Sequence, residues 1–89
     1  MDFYKTGKFK KDYRRMKKRG ADSSKLSAVL QLLYEGQPLP TIYRDHVLLS
    51  GEYKGIHDVH ISPDWILLYE IQGETIILHR TGSHSDLSL

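Results

Sequence analysis

The sequence predicts a two-layer α+β domain over residues 1–89, in which an N-terminal strand and a helical hairpin pack on a mainly antiparallel sheet. Three observations lead to this fold class. The first half carries two helical patterns, the second half carries strand-like runs separated by turn residues, and 89 residues suffice for one small domain. The chain contains no cysteine, which excludes a disulfide framework and any cysteine-based zinc site.

The first half is predicted to form a short strand over residues 2–6 and two helices. The first helix covers residues 8–19 and ends at Gly20, and the second begins at Asp22 or Ser23 and ends at Gly36. Each helix has its apolar residues on one face: Phe9, Tyr13 and Met16 in the first, and Leu26, Val29, Leu30 and Leu33 in the second. Few residues join the two helices, which favours a hairpin.

The second half is predicted to form four strands, at residues 47–49, 55–62, 65–71 and 75–80. Because side chains alternate along a strand, Asp58 and His60 share one face, whereas His57, Val59 and Ile61 share the other. The run that begins at Trp65 is apolar enough for a central strand buried on both sides.

Positive charge is concentrated at the N-terminus. Residues 1–25 contain ten Lys and Arg against three Asp, a net charge of +7, whereas the remaining residues carry a net charge of −5. Such a segment attracts polyanions, although a merely solvated helix face is the plainer interpretation. The predicted RNA-binding residues are Lys8, Lys10, Lys11, Arg14, Arg15, Lys17 and Lys18.

The sequence shows no signal for membrane insertion or export. Mean hydropathy is −0.47, no apolar run approaches the roughly 18 residues of a membrane span, and the first ten residues are charged. We therefore expect a cytoplasmic protein without a membrane partner.

Five histidines among 89 residues make acid–base chemistry possible. Cleaving an RNA phosphodiester without a metal needs a base for the 2′-hydroxyl, an acid for the leaving 5′-oxygen and a cation for the charge on phosphorus. Histidines, Asp64 and Arg80 supply these groups. Each also has a structural interpretation: His57 and His79 as packed or surface residues, Arg80 as a strand-end charge, and Trp65 as a core residue rather than a platform for base stacking.

A metal site is not predicted, and neither is another cofactor. His57 and His60 lie three apart on a strand and should face opposite sides, so they cannot share an ion. The glycines are scattered through turns instead of forming a phosphate-binding loop.

Three motifs resemble the YafQ branch of the RelE-type toxins, which are bacterial ribosome-dependent mRNA endonucleases of type II toxin–antitoxin systems. They are Tyr43-Arg44-Asp45-His46, the stretch from Gly51-Glu52-Tyr53-Lys54-Gly55 to Asp58-Val59-His60-Ile61-Ser62-Pro63-Asp64-Trp65, and Arg80-Thr81-Gly82-Ser83-His84. The resemblance covers nearly the whole chain and implies a RelE-like fold.

The resemblance also implies the site and its partners. The catalytic residues would be His46, His60, Asp64, His84 and Arg80, with Asp58 and Trp65 in supporting or substrate-contacting roles. His84 would be the general acid and Arg80 would stabilise the phosphorane, while the identity of the general base stays open. Cleavage in the ribosomal A site would leave a 2′,3′-cyclic phosphate and a 5′-hydroxyl. The partners would be mRNA, the ribosome through its 16S RNA, and a cognate antitoxin.

The chain departs from the family pattern at Ser88, where many members carry an aromatic residue. Codon preference is therefore open. Two other functions compete with the nuclease: a non-catalytic ribosome- or RNA-binding module on the same fold, and a protein-interaction domain whose basic helix docks an acidic partner.

Overall fold

The computed structural model describes residues 1–89 as a five-stranded sheet with three helices. In chain order the elements are β1 (Asp2–Lys5), α1 (Gly7–Lys18), α2 (Ser23–Tyr34), a 3₁₀ turn (Thr41–Tyr43), β2 (His46–Val47), β3 (His57–Ser62), β4 (Trp65–Gln72), β5 (Thr75–Gly82) and α3 (His84–Leu87).

The sheet has the strand order β1-β5-β4-β3-β2. Only β1 and β5 run parallel; the other three pairings are antiparallel, which confirms the predicted α+β fold with a mainly antiparallel sheet. β4 lies at the centre, and its residues Trp65–Tyr69 are all buried, as the apolar run predicts.

The main core fills the space between the two long helices and one face of the sheet. α1 packs on β5 and α2 packs on β3. The helical periodicity is confirmed, because Phe9 and Met16 of α1 and Leu26, Val29 and Leu33 of α2 are all buried in this core. Burying such apolar side chains contributes about 1.5–3 kcal/mol each.

The ends of the two helices follow from local chemistry. Thr6 caps α1 by accepting a hydrogen bond from the Phe9 amide, and Asp22 caps α2 by accepting from the Ser24 amide. Gly20 has φ of +86°, in the left-handed region that glycine enters without steric cost, so the chain can turn from α1 towards α2.

Three local features differ from the sequence prediction. The strand expected at residues 47–49 forms at His46–Val47, and Leu48 continues the pairing only through backbone bonds to Gly55 and Ile56. The 3₁₀ turn and α3 were not predicted, because both are shorter than the window over which periodicity can be recognised.

The other face of the sheet carries a smaller apolar cluster. Ile66 and Leu68 of β4 pack with Leu87 of α3, and the loop before β3 adds Tyr53 and Ile56. This cluster fastens α3 to the sheet face that also carries His60. None of the helices combines the length and hydrophobicity of a membrane-spanning helix.

Candidate active site

Strand register brings distant histidines to one place. His60 of β3 lies opposite Ile66 of β4, which in turn lies opposite Gly82 of β5, so His84 follows just beyond the same row. On the other side of β3, His46 lies opposite Asp58 and is therefore the diagonal neighbour of His60. The ring centroids of His46 and His60 are 6.5 Å apart, and those of His60 and His84 are 5.4 Å apart.

Asp64 holds His84 by two hydrogen bonds. The carboxylate oxygen Oδ1 accepts from the His84 backbone amide at 2.9 Å and lies 2.6 Å from the imidazole Nδ1. These bonds, that of the backbone amide first, hold the pKa of Asp64 below its ordinary value. The ionised carboxylate can only accept, so the proton of the second bond resides on His84 Nδ1.

The remaining nitrogen of His84 faces His60. The two Nε2 atoms are 3.4 Å apart, and a hydrogen bond between two imidazole nitrogens requires one proton between them. The other nitrogen of His60, Nδ1, is buried and has no hydrogen-bond partner. Asp64, His84 and His60 therefore form a line of groups along which a proton can be held and transferred.

The backbone fixes the protonation pattern of His46. Its Nδ1 lies 2.8 Å from the carbonyl oxygen of Arg44, which can only accept, so the Nδ1 carries the proton. In the neutral ring the Nε2 is then an unprotonated acceptor. Arg44 directs its carbonyl at His46 from a left-handed backbone conformation with φ of +50°.

Asp45 anchors the segment that presents His46. Its two carboxylate oxygens bind different strands: Oδ1 lies 2.9 Å from Nδ1 of His57 in β3, and Oδ2 accepts from the hydroxyl of Tyr69 in β4 at 2.9 Å. The His57 ring stacks on Tyr69 with centroids 4.7 Å apart. Sequence reasoning gave Asp45 no role, although its place next to His46 was the available signal.

Burial and the hydrogen bond to Asp45 raise the pKa of Tyr69, so its hydroxyl stays a donor at neutral pH.

The bond of His57 to Asp45 and its stacking on Tyr69 support the structural interpretation of His57. His57 and His60 do not converge, because His57 stacks on the core residue Tyr69 and His60 faces the opposite side of the sheet. No group of three or more His, Cys, Asp or Glu side chains is arranged to hold a metal ion.

Arg80 does not join the histidines through any hydrogen bond. Its guanidinium donates from Nε to Asp12 Oδ2 at 2.6 Å, from Nη2 to Asp12 Oδ1 at 3.1 Å, and from Nη1 to the Tyr53 hydroxyl at 3.0 Å. The bonds to Asp12 raise the pKa of Arg80 above its ordinary value. The guanidinium of Arg80 thus stays charged, but its charge is partly balanced by the ion pair with Asp12.

Asp12 is a buried acid that sequence reasoning missed. It is only 3% exposed, and besides Arg80 it accepts from the Thr81 amide at 3.2 Å and from Arg15 at 3.0 Å. β5 extends beyond the end of β1, so the backbone N–H of Thr81 has no partner strand on that side. The Asp12 carboxylate from α1 accepts the hydrogen bond of this N–H instead.

The two supporting residues lie in different environments. Asp58 faces the same side as His60 and is 5% exposed, and its Oδ1 has no hydrogen-bond partner. Trp65 is 3% exposed in the main core and donates from Nε1 to the Thr81 hydroxyl at 2.8 Å. Its buried ring corrects the expectation of a substrate-contacting role: Trp65 is a core residue and offers no face to a base.

The short helix α3 positions His84. Ser83 and Asp86 form a capping box, and Asp86 also receives two bonds from the Arg19 guanidinium, at 2.6 and 3.1 Å. These bonds, that of Arg19 first, hold the pKa of Asp86 well below its usual range. A Cβ on Gly82 would lie 3.0 Å from Asp86, so the absence of a side chain there lets α3 pack closely.

Comparison with known proteins agrees with this geometry. Residues 1–89 match the family described as bacterial toxins of type II toxin–antitoxin systems, YafQ. The chain belongs to the YafQ toxin family.

Similar relatives extend over almost the full length. The chain is 39% identical over 87 residues to the mRNA interferase toxin YafQ of Escherichia coli K12, covering 97% of this chain and 94% of that protein. It superposes on YafQ in the E. coli DinJ–YafQ complex with a TM-score of 0.87 at 40% identity, covering 97% and 96% of the two chains. A copper-bound mutant toxin from Helicobacter pylori gives a TM-score of 0.90 at 34% identity, covering 98% of each chain.

The basic residues of this YafQ family member lie mainly in solvent. Six of the seven predicted RNA-binding side chains on α1 are exposed; the seventh, Arg15, is half-buried and bonded to Asp12. Lys17 lies over the ring of Tyr13 at 5.5 Å. Most of the positive charge of α1 is therefore exposed to solvent, whereas Arg15 is partly neutralised by its ion pair with the buried Asp12.

Proposed function

We propose that this chain is a ribosome-dependent endoribonuclease toxin that cleaves mRNA in the ribosomal A site by acid–base chemistry without a metal. The observation that carries the proposal is the line Asp64–His84–His60 with His46 beside it. Membership of a toxin family and near full-length similarity to an mRNA interferase support it.

His46 is the general base in this proposal. Its Nδ1 proton is bound to the Arg44 carbonyl, which leaves the Nε2 lone pair to accept the proton of the substrate 2′-hydroxyl. The 2′-oxygen then attacks the adjacent phosphorus. His60, the neighbouring imidazole, is placed to position the same hydroxyl or to relay its proton.

His84 is the general acid. Asp64 keeps a proton on its Nδ1 and stabilises the imidazolium, so the Nε2 proton can pass to the leaving 5′-oxygen. The bond between phosphorus and the 5′-oxygen breaks, leaving a 2′,3′-cyclic phosphate and a 5′-hydroxyl. Base and acid thereby exchange protonation states, and water restores them.

Arg80 is the proposed cation for the charge that develops on phosphorus. Three of its five N–H groups are engaged by Asp12 and Tyr53, and two are left to donate to phosphate oxygens. The same contacts fix the guanidinium in place, so reorganisation costs little when the charge develops. Asp58, which is buried and faces the same side of β3 as His60, is the proposed supporting residue.

The exposed positive charge of α1 is the proposed ribosome contact. Lysine and arginine on this surface can bind phosphates of 16S ribosomal RNA without reading sequence, and such binding weakens as salt rises. Docking on the ribosome would also present the mRNA in a fixed geometry, which a small, open site cannot impose on a flexible strand by itself.

A cognate antitoxin is the proposed protein partner. The E. coli relative is seen in a DinJ–YafQ complex, and the family to which this chain belongs consists of toxins of type II toxin–antitoxin systems. We expect the antitoxin to cover or displace His84.

The deciding experiment maps transcript ends by primer extension after incubating purified protein with ribosomes translating a defined message. Codon-phased stops that depend on ribosomes support the nuclease; retained ribosome binding without stops would assign a non-catalytic module instead.

A chelator titration, followed by adding zinc back, tests whether cleavage needs a metal ion. Unchanged cleavage is expected, and loss restored by zinc but not by magnesium would contradict the metal-free mechanism, a relevant comparison because a related toxin is described as copper-bound.

A further inference from the structure

We infer that a groove along the free edge of β3 seats the mRNA nucleotide next to the scissile phosphate; this inference rests on the proposed nuclease function. β2 pairs only with His57 and Asp58, so the edge of β3 beyond them has no neighbouring strand. The N-terminal end of α2 and the 3₁₀ turn stand on either side of that edge, and a groove of about 750 Å³ opens between them.

The groove is continuous with the proposed catalytic cluster of His46, His60, Asp64 and His84. His60 lines it, and the same imidazole faces His84 at 3.4 Å and lies beside His46. Arg44 links the two regions, since it lines the groove while its carbonyl holds His46. A strand lying in the groove would therefore pass directly to the proposed acid and base.

The charge of the groove matches a phosphate backbone. Lys25 and Arg44 contribute two cations, and no Asp or Glu is among the residues that line it. Both side chains are free of salt bridges and hydrogen bonds, in contrast to Arg15, Arg19 and Arg80. Two unpaired cations along one groove are suited to successive phosphates of a single strand.

The groove also offers a surface to a base. Tyr43 is half-buried, packs against the main core and lines the groove, and Ile42 next to it is 79% exposed. Single-stranded nucleic acids bind where cations follow the backbone and aromatic rings stack on the bases. Tyr43 can therefore supply the aromatic contact that Ser88 cannot, and the groove becomes a determinant of which sequence is cut.

The test measures kcat/KM for cleavage of ribosome-bound mRNA by Lys25→Ala, Arg44→Ala and Tyr43→Leu, with ribosome cosedimentation and thermal melting recorded for each. Lys5→Ala is the matched control, since it removes one exposed lysine from β1 at the opposite edge of the sheet. We expect about a tenfold loss for each cation variant, a redistribution of cleavage sites for Tyr43→Leu, unchanged cosedimentation, and wild-type activity for the control.

Crosslinking identifies the occupant independently of activity. A message containing 4-thiouridine next to the cleaved position should crosslink to Lys25 or to residues 42–44. Wild-type kcat/KM and cleavage pattern in all three variants, or crosslinks from the thiolated message that fall outside Lys25 and residues 42–44, would overturn the inference. If the wild-type protein itself cuts no message, the nuclease proposal fails instead, so the two failures are distinguishable.

Discussion

The Asp64 carboxylate binds both the backbone amide and the imidazole of His84, twenty positions further along the chain. One side chain thus fixes where the ring lies and which nitrogen carries the proton. Asp64 itself is mostly exposed, so its position depends on the turn between β3 and β4.

Replacing Asp64 by Asn should therefore reduce catalysis more than folding. The amide can still accept the backbone bond, but it neither stabilises an imidazolium nor enforces a single tautomer, so we expect kcat to fall by about 100-fold or more. Single-turnover cleavage of ribosome-bound mRNA measures this. A variant with unchanged kcat and an unchanged melting temperature would contradict the role of Asp64.

Asp86 should make the protein sensitive to acid. Because its pKa is lowered in the folded state, its contribution is complete above the ordinary carboxyl pKa of about 4 and is lost as the pH falls through the folded value. At pH 7 Asp86→Asn should be less stable than wild type by about 1 kcal/mol and should melt at a lower temperature. This difference in stability should be smaller at pH 3. Circular dichroism melts at both pH values check this.

The control for that experiment is Asp2→Asn, which removes an exposed carboxylate that makes no side-chain hydrogen bond. It should match wild type at pH 7. An Asp86→Asn deficit that is the same at pH 3 and pH 7 would show that the carboxylate charge contributes nothing.

Removing Asp12 should destabilise the whole protein. Its carboxylate is buried and binds Arg80, Arg15 and the Thr81 amide, so Asp12→Ala leaves a largely buried guanidinium unpaired, at a cost of about 3 kcal/mol. Urea unfolding measures the loss. Asp12→Asn, which keeps one acceptor oxygen, should lose less, and equal stability of the two variants would show that the carboxylate does not hold this network together.

Asp45 should act on catalysis through His46. Asp45→Ala breaks the bonds to His57 and Tyr69 that hold this segment against the sheet, so we expect kcat to fall about tenfold or more while ribosome binding is kept. Asp45→Asn can accept from the Tyr69 hydroxyl and should recover part of the activity. Equal kcat for the alanine variant and the wild type would show that His46 needs no such anchor.

The sequence allowed much of this fold to be predicted, because its helices and strands are long enough to show their periods. Phe9 and Met16 mark the buried face of α1, and the alternation through Val59 and Ile61 separates the two faces of β3. Short elements could not be recognised in this way. The capping residues Ser83 and Asp86 were visible, but four helical residues give no periodic signal.

The site was less accessible from residue spacing alone. That Asp64, His60 and His84 meet depends on the register of three strands, and in the sequence only the resemblance to a toxin family, not periodicity, groups them. Asp12 could not be found at all, since an acid within a basic helix looks solvated until its partner Arg80, 68 positions away, is placed beside it. Trp65 was open between core and substrate, and burial assigns it to the core.

The most direct test of the central claim compares His84→Gln with His79→Gln on the same translated message. His79 is the matched control, because it is another half-buried histidine bonded to a carboxylate, Glu70, but belongs to no proton path. Mapped transcript ends should vanish for His84→Gln, with kcat/KM lower by at least about 100-fold, and persist for His79→Gln. Full cleavage by a folded, ribosome-binding His84→Gln protein would contradict the assignment of the general acid and the catalytic cluster built around it.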